Sequence, residues 1–134
     1  MDSLFAENDI VTIHAGLNEA TRGSVDYRRL SLMPKDGILI NTARGPLVVE
    51  KDLARILSEG HINAGVDVID NEDDWKASPL INLPNVIFTG HVLSQIGLQE
   101  KHCLQETALA NLKRYLRGDT LRHPVTPERF QLMT

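Results

Sequence analysis

The stretch Gly37 to Gly45, GILINTARG, decides the fold. A short apolar run, Ile38-Leu39-Ile40, passes at once into Asn41, Thr42, Ala43 and a charged Arg44 with a glycine behind it. A buried strand that ends abruptly in a cation and a glycine is how an α/β protein delivers a side chain to a ligand crevice. An ordinary surface arginine in a β-to-α turn fits the same residues equally well. The flanking sequence separates the two readings.

Upstream, Asp9 to His14 (DIVTIH) is a compact β-branched run that predicts a buried strand followed by a loop. Asp26 is placed to cap a short helix with Leu30 and Met33 on one face, stopped by Pro34. Downstream, Leu53, Ile56 and Leu57 have the spacing of a helix packed on a sheet, ended by Gly60. Ile62 to Ile69 predicts a third strand, with Gly65 allowing close packing, and Asn85 to Thr89 a fourth. From about Ser94 to Leu116 a long helical pattern runs through Leu104, Ala108, Leu112 and Leu116, capped by Gly118. The tail, LRHPVTPERFQLMT, carries two prolines and reads as an extended arm. Mostly apolar strands alternating with helices predict an α/β fold, a parallel sheet covered on both faces and joined by right-handed crossovers.

Composition narrows the function. The 134 residues suffice for one domain with a real core. Apolar residues make up 42% and charged ones 24%, as in soluble globular proteins. A net charge of −4 leaves no electrostatic footprint for nucleic acid or an anionic membrane. The single Cys103 precludes an intrachain disulfide or a Cys-based metal cluster and fits a reducing, cytoplasmic setting. No apolar run has the length to cross a bilayer, and MDSLFAEND lacks the regions of a signal peptide.

Ligands of open parallel sheets bind beyond the carboxyl ends of the strands. Arg44 follows the second strand, Glu72 the third and His91 the fourth, while His14 ends the first. A carboxylate beside an imidazole favours the imidazolium and fixes ring orientation and tautomer, which suits a general acid/base. A guanidinium offers a planar fork to a carboxylate. Together they would serve a substrate with a carboxylate next to a carbonyl or hydroxyl carbon. His61, His102 and His123 lack partners at metal-ligand spacing, no nucleophile-elbow serine exists, and Cys103 reads as core. The sequence contains neither Gly-x-Gly-x-x-Gly nor a Walker loop.

INTARGPLV, then GVDV with an acidic turn carrying Glu72, then NVIFTGH, resemble in that order the carboxyl-terminal half of the D-isomer-specific 2-hydroxyacid dehydrogenases. ENDIVTIHAGLNEATRG resembles the strand and loop before that signature, so the likeness runs from about Leu4 to Leu121. The resemblance implies a partial Rossmann-type, NAD(P)-binding domain over residues 1–121 that lacks the glycine-rich first βαβ unit, with 122–134 as an arm. By motif, Arg44 matches the substrate-carboxylate arginine, Glu72 the partner of the histidine, and His91 the acid/base. Asp67 matches the aspartate at the nicotinamide carboxamide, Thr42, Ala43 and Arg44 line the nicotinamide, and His91 and Ser94 close over it. His14 and Gly16 match the loop on the adenosine side. The implied cofactor is NAD or NADP, held weakly by this chain alone, and the implied substrate a small 2-hydroxy or 2-keto acid. Gly90 departs from the family's usual proline, and Val49 from its acidic helix cap. Two functional readings follow: part of a hydride-transferring oxidoreductase, inactive in isolation, or a non-catalytic module that pairs through an exposed sheet edge as a homo-oligomer.

Overall fold

Four strands, β1 (Ile10–Ile13), β2 (Gly37–Asn41), β3 (Ile62–Val66) and β4 (Val86–Phe88), form one parallel sheet in the order β1-β2-β3-β4. The computed structural model describes residues 1–92 and 102–131, which fall in two separate units. The apolar runs form the strands they predict, and β2 is central in register: Leu39 pairs with Val11 on one side and Ala64 on the other. All three are buried, and Leu39 completely.

Three helices cover the sheet: α1 (Asp2–Ala6), α2 (Tyr27–Leu30) and α3 (Glu50–Ser58). Phe5, Leu30, Leu53, Ile56 and Leu57 join Val11, Ile13, Leu39, Ile62, Ala64 and Val66 in a single core. The Asp26 carboxylate accepts the Arg29 amide at 2.9 Å, which is the expected cap of α2. Helix α3 begins at Val49 without a side-chain cap. Helix α1 was not legible in the sequence; it is pinned by Asp2, whose carboxylate takes both Arg28 Nη1 at 2.7 Å and Nη2 at 3.0 Å. That hydrogen-bonded guanidinium holds the Asp2 carboxyl below its usual range.

Two expectations are corrected. The sheet is not covered on both faces by this unit: Ile10, Ile38 and Ile87 are 58%, 38% and 72% exposed, and burial alternates along β1, β2 and β3. The cause is topological. The strand order advances in one direction without reversal, so successive right-handed crossovers place their helices on the same side. Gly65 belongs to the bare face and is not a close-packing glycine, since a Cβ there would meet nothing within 4 Å.

In the second unit, α4 (His102–Arg117) ends at Gly118, φ +73°, with the Asp119 amide bonded to the Arg114 carbonyl and that of Gly118 to Tyr115. This is the Schellman pattern that the glycine was expected to supply. The apolar positions Ala108, Leu112 and Leu116 are exposed. The tail is not extended throughout: α5 (Pro127–Phe130) forms one helical turn, with Thr126 capping the Arg129 amide and proline at its first position. Ser94 lies outside the described residues, as do the side chains of His102, Cys103 and Leu104. Among the described residues, no helix is long and apolar enough to cross a membrane.

Candidate functional site

The parallel ladder does not stop where the strands end. The Asp67 amide bonds the Asn41 carbonyl at 2.9 Å, the Thr89 amide the Val66 carbonyl at 3.1 Å, and the His91 amide the Asp67 carbonyl at 2.6 Å. The turns after β2, β3 and β4 are therefore held side by side, and their side chains share one edge of the sheet.

Within that edge His91 and Glu72 meet. His91 Nδ1 lies 2.8 Å from Glu72 Oε2, with both side chains nearly half exposed. A carboxylate can only accept, so Nδ1 carries the proton and Nε2 is left to face a ligand. His91 itself sits in the left-handed region, φ +58°, directly after Gly90 at φ +71°. Proline cannot adopt that φ, so the glycine at this position is realised as a left-handed turn. Among the described residues, a Cβ on Gly90 would meet only Phe88 Cε1, at 3.9 Å. The glycine is thus used for its backbone and not for its small size.

Beside the pair opens a cleft of about 510 Å³, lined among others by Asp67, Trp75, Phe88, Thr89 and Val92. Asp67 is 5% exposed, and Thr89 Oγ1 donates to its Oδ1 at 2.5 Å. Trp75 and Phe88 stand with ring centroids 6.4 Å apart and planes inclined by 32°, an apolar part of the cleft lining. Sequence reading missed Thr89, Trp75 and Phe88. Thr89 could have been found as the residue one strand over from Asp67, whereas Trp75 lies in an acidic segment that gives no sign of where its ring turns.

Arg44 is delivered to the same edge but does not join the pair. Its guanidinium is exposed, and Nη1 donates to the Ala43 carbonyl at 2.7 Å. The turn that carries it is fixed by Asn41, which is 1% exposed: Nδ2 donates to the Arg44 carbonyl at 3.0 Å, and Oδ1 accepts the Ala43 amide at 3.1 Å. Thr42 is exposed and Ala43 half-buried in this turn. His14 turns back along its strand, with Nε2 2.7 Å from Thr12 Oγ1, and the Gly16 carbonyl accepts Thr21 Oγ1 at 2.7 Å. Both lie past the end of β1, with β2 between them and the cleft.

The arrangement suits a flat ring with a polar rim. Trp75 and Phe88 give it an apolar side, Asp67 offers a carboxylate acceptor, and His91 Nε2 has no partner among the described residues. A nicotinamide carboxamide fits this donor and acceptor set.

Comparison with known proteins agrees with the fold. Residues 1–92 match the model of the D-isomer specific 2-hydroxyacid dehydrogenase NAD binding domain. The chain is 36% identical over 129 residues to a glyoxylate/hydroxypyruvate reductase B of Serratia proteamaculans, covering 96% of this chain and 39% of that protein. It is 35% identical over 120 residues to a hydroxypyruvate reductase of Blautia hydrogenotrophica, covering 88% and 37%. A D-isomer specific 2-hydroxyacid dehydrogenase from Xanthobacter autotrophicus Py2, solved with NADPH and MES, superposes with a TM-score of 0.79 at 32% identity, covering 96% of this chain and 54% of that one. A D-lactate dehydrogenase from Lactobacillus jensenii, solved with NAD+, gives 0.81 at 26% identity, covering 93% and 42%. The chain spans about two-fifths of the length of the curated relatives it matches. With a Rossmann-type parallel sheet, the ordered motifs and the family match in agreement, the chain belongs to the D-isomer specific 2-hydroxyacid dehydrogenase family, within its NAD-binding domain.

Proposed function

We propose that this chain carries the proton-transfer half of an NAD(P)-dependent reaction interconverting a small D-2-hydroxy acid and its 2-keto acid. The observation that carries the reading is the His91–Glu72 pair at the mouth of a cleft floored by Asp67. Glyoxylate and hydroxypyruvate, named in the relatives, set the expected substrate size.

His91 gives its Nε2 proton to the carbonyl oxygen in reduction and takes it back in oxidation, while Glu72 stabilises the imidazolium through Nδ1. Arg44 leaves the Ala43 carbonyl and turns its fork to the substrate carboxylate, which fixes the reacting carbon relative to His91. Asp67, oriented by Thr89, accepts from the carboxamide, and the backbone of Thr42 and Ala43 borders the ring. Ser94, His14 and Gly16 are assigned to the cofactor on motif alone. A nicotinamide, when bound, supplies or receives the hydride. Trp75 and Phe88 exclude water from the ring side of the cleft.

The sequence holds no glycine-rich phosphate loop, so the 134-residue chain contributes nicotinamide contacts without a pyrophosphate anchor. Its own dinucleotide affinity is expected to be weaker than micromolar. Titration of the labelled chain with reduced nicotinamide mononucleotide and glyoxylate, followed by amide shifts, tests the site. Shifts confined to residues 42–44, 67, 72, 75, 88–92 and 94 are expected. Shifts elsewhere, or none at millimolar ligand, overturn the reading.

The second reading, a module that assembles through its sheet, is favoured by the unpaired edge of β1 beside exposed Ile10 and Ile38. We propose on this ground that the isolated chain forms a homo-oligomer, in the reducing cytoplasm that its lone cysteine suits. Light scattering should show a mass of two chains or more, and a strictly monomeric species at high concentration rejects it.

A further inference from the structure

We propose that Glu50 is a positioning residue that holds the Asp70–Ser78 loop so that Glu72 reaches His91. The role of that loop rests on the proton-transfer reading above.

The loop needs an anchor. The Glu72–His91 pair is nearly half exposed on both sides, and exposed ion pairs contribute little net stability because water screens them. Ordering each loop residue costs more backbone entropy than such a pair returns. The pair therefore cannot hold the loop; the loop must be held for the pair to form.

Glu50, the first residue of α3, is built for this. Oε2 accepts the Asp70 amide at 2.8 Å, and Oε1 accepts Ser78 Oγ at 2.7 Å. One carboxylate thus fastens both ends of the segment in which Glu72 lies. Ser78 is itself buried, and its Oγ accepts the Leu80 amide at 3.3 Å. Its hydroxyl proton is therefore committed to Glu50. Between the anchors the loop is held by short-range turns, Asp74 O to the Ala77 amide at 3.0 Å and Trp75 O to the Ser78 amide at 3.2 Å, and by the Trp75–Phe88 contact.

The chemistry favours a carboxylate over other side chains. Both partners are donors, and only a carboxylate presents two acceptor oxygens at once. Glutamine can keep one oxygen on the Asp70 amide and turn its NH2 to Ser78 Oγ, so it should preserve most of the geometry. Leucine keeps neither bond.

The readout is the tautomer of His91, which Glu72 holds with the proton on Nδ1. Ring 15N shifts of the 134-residue chain, recorded above the imidazole titration and assigned against His91→Gln, measure it without any turnover. In the unsubstituted chain the Nδ1–H form is expected to dominate. Glu50→Leu should lose it to the same extent as Glu72→Ala, while Glu50→Gln should retain most of it. If Glu50→Leu does not fold, Ser78→Ala removes one anchor alone, and a partial loss is expected. An Nδ1–H population unchanged in folded Glu50→Leu, or in Ser78→Ala, overturns the role of Glu50 and leaves the site reading standing. A ring that lacks the Nδ1–H form before any substitution overturns the His91–Glu72 pairing, and the proton-transfer reading with it.

Discussion

Gly45→Ala is expected to be severely damaging, lowering stability by about 3 kcal/mol and separating Glu72 from His91. A Cβ at position 45 would lie inside the carbonyl of Ile69 and 2.7 Å from the Asp70 amide nitrogen. These are backbone atoms and have no rotamer to move into. Either the turn after Arg44 or the start of the loop carrying Glu72 must shift. If the loop shifts, the Asp70 amide leaves Glu50 and the 2.8 Å His91–Glu72 contact opens. Gly65→Ala is the matched control. It sits in the middle of β3 with nothing within 4 Å of the added methyl, so its strand should be unchanged or stabilised by about 0.5–1 kcal/mol. Denaturant unfolding of the two variants measures the contrast. Equal stabilities would show that the Gly45 turn does not pack on the loop.

The contrast between the two glycines also marks what the sequence could and could not reveal. Ile38-Leu39-Ile40, DIVTIH and NVIFT announce strands because β-branched runs bounded by turn residues have few other stable forms. The order of Arg44, Glu72 and His91 after successive strands was legible for the same reason, since parallel strands all point their carboxyl ends to one edge. What periodicity does not encode is which face of a strand a neighbour covers. Gly65 reads as a packing glycine and lies on the open face, while Gly45 reads as punctuation and carries the closest backbone approach. Arg44 was placed at the right edge, but its folding back onto Ala43 depends on torsions that no spacing fixes. Trp75 and Glu50 escaped notice because their roles come from contacts across the loop, Trp75 to Phe88 and Glu50 to Asp70 and Ser78. Helix α1 escaped because one buried Phe5 and an ion pair to a distant arginine leave no local period.

Asn41→Leu should cost about 1–3 kcal/mol and release the turn that presents Arg44. A partly buried polar group left without a partner costs about 1–3 kcal/mol, and this substitution strips the Ala43 amide, whereas the Arg44 carbonyl loses Asn41 but keeps the Leu47 amide at 3.3 Å. The Asn41 backbone carbonyl, bonded to the Asp67 amide, is untouched, so the sheet survives while the turn loosens. Asn41→Asp separates the clamp from its charge. Protonated, a carboxyl at this buried position reproduces the amide, donating to the Arg44 carbonyl and accepting from Ala43. Ionised, it faces the Arg44 carbonyl with a buried negative charge, so burial pushes its pKa above the ordinary aspartate value of about 3.9. The folded chain then binds more protons than the unfolded one, and stability falls as pH rises from the unfolded pKa to the folded one. Denaturant midpoints of Asn41→Asp, taken relative to the unsubstituted chain, should therefore be nearer parity at about pH 4 than at neutral pH, whereas Asn41→Leu should show the same deficit at both. An Asn41→Asp deficit that does not change with pH would mean that the clamp opens and lets water reach the carboxylate. The rigid presentation of Arg44 at the sheet edge would then fail with it.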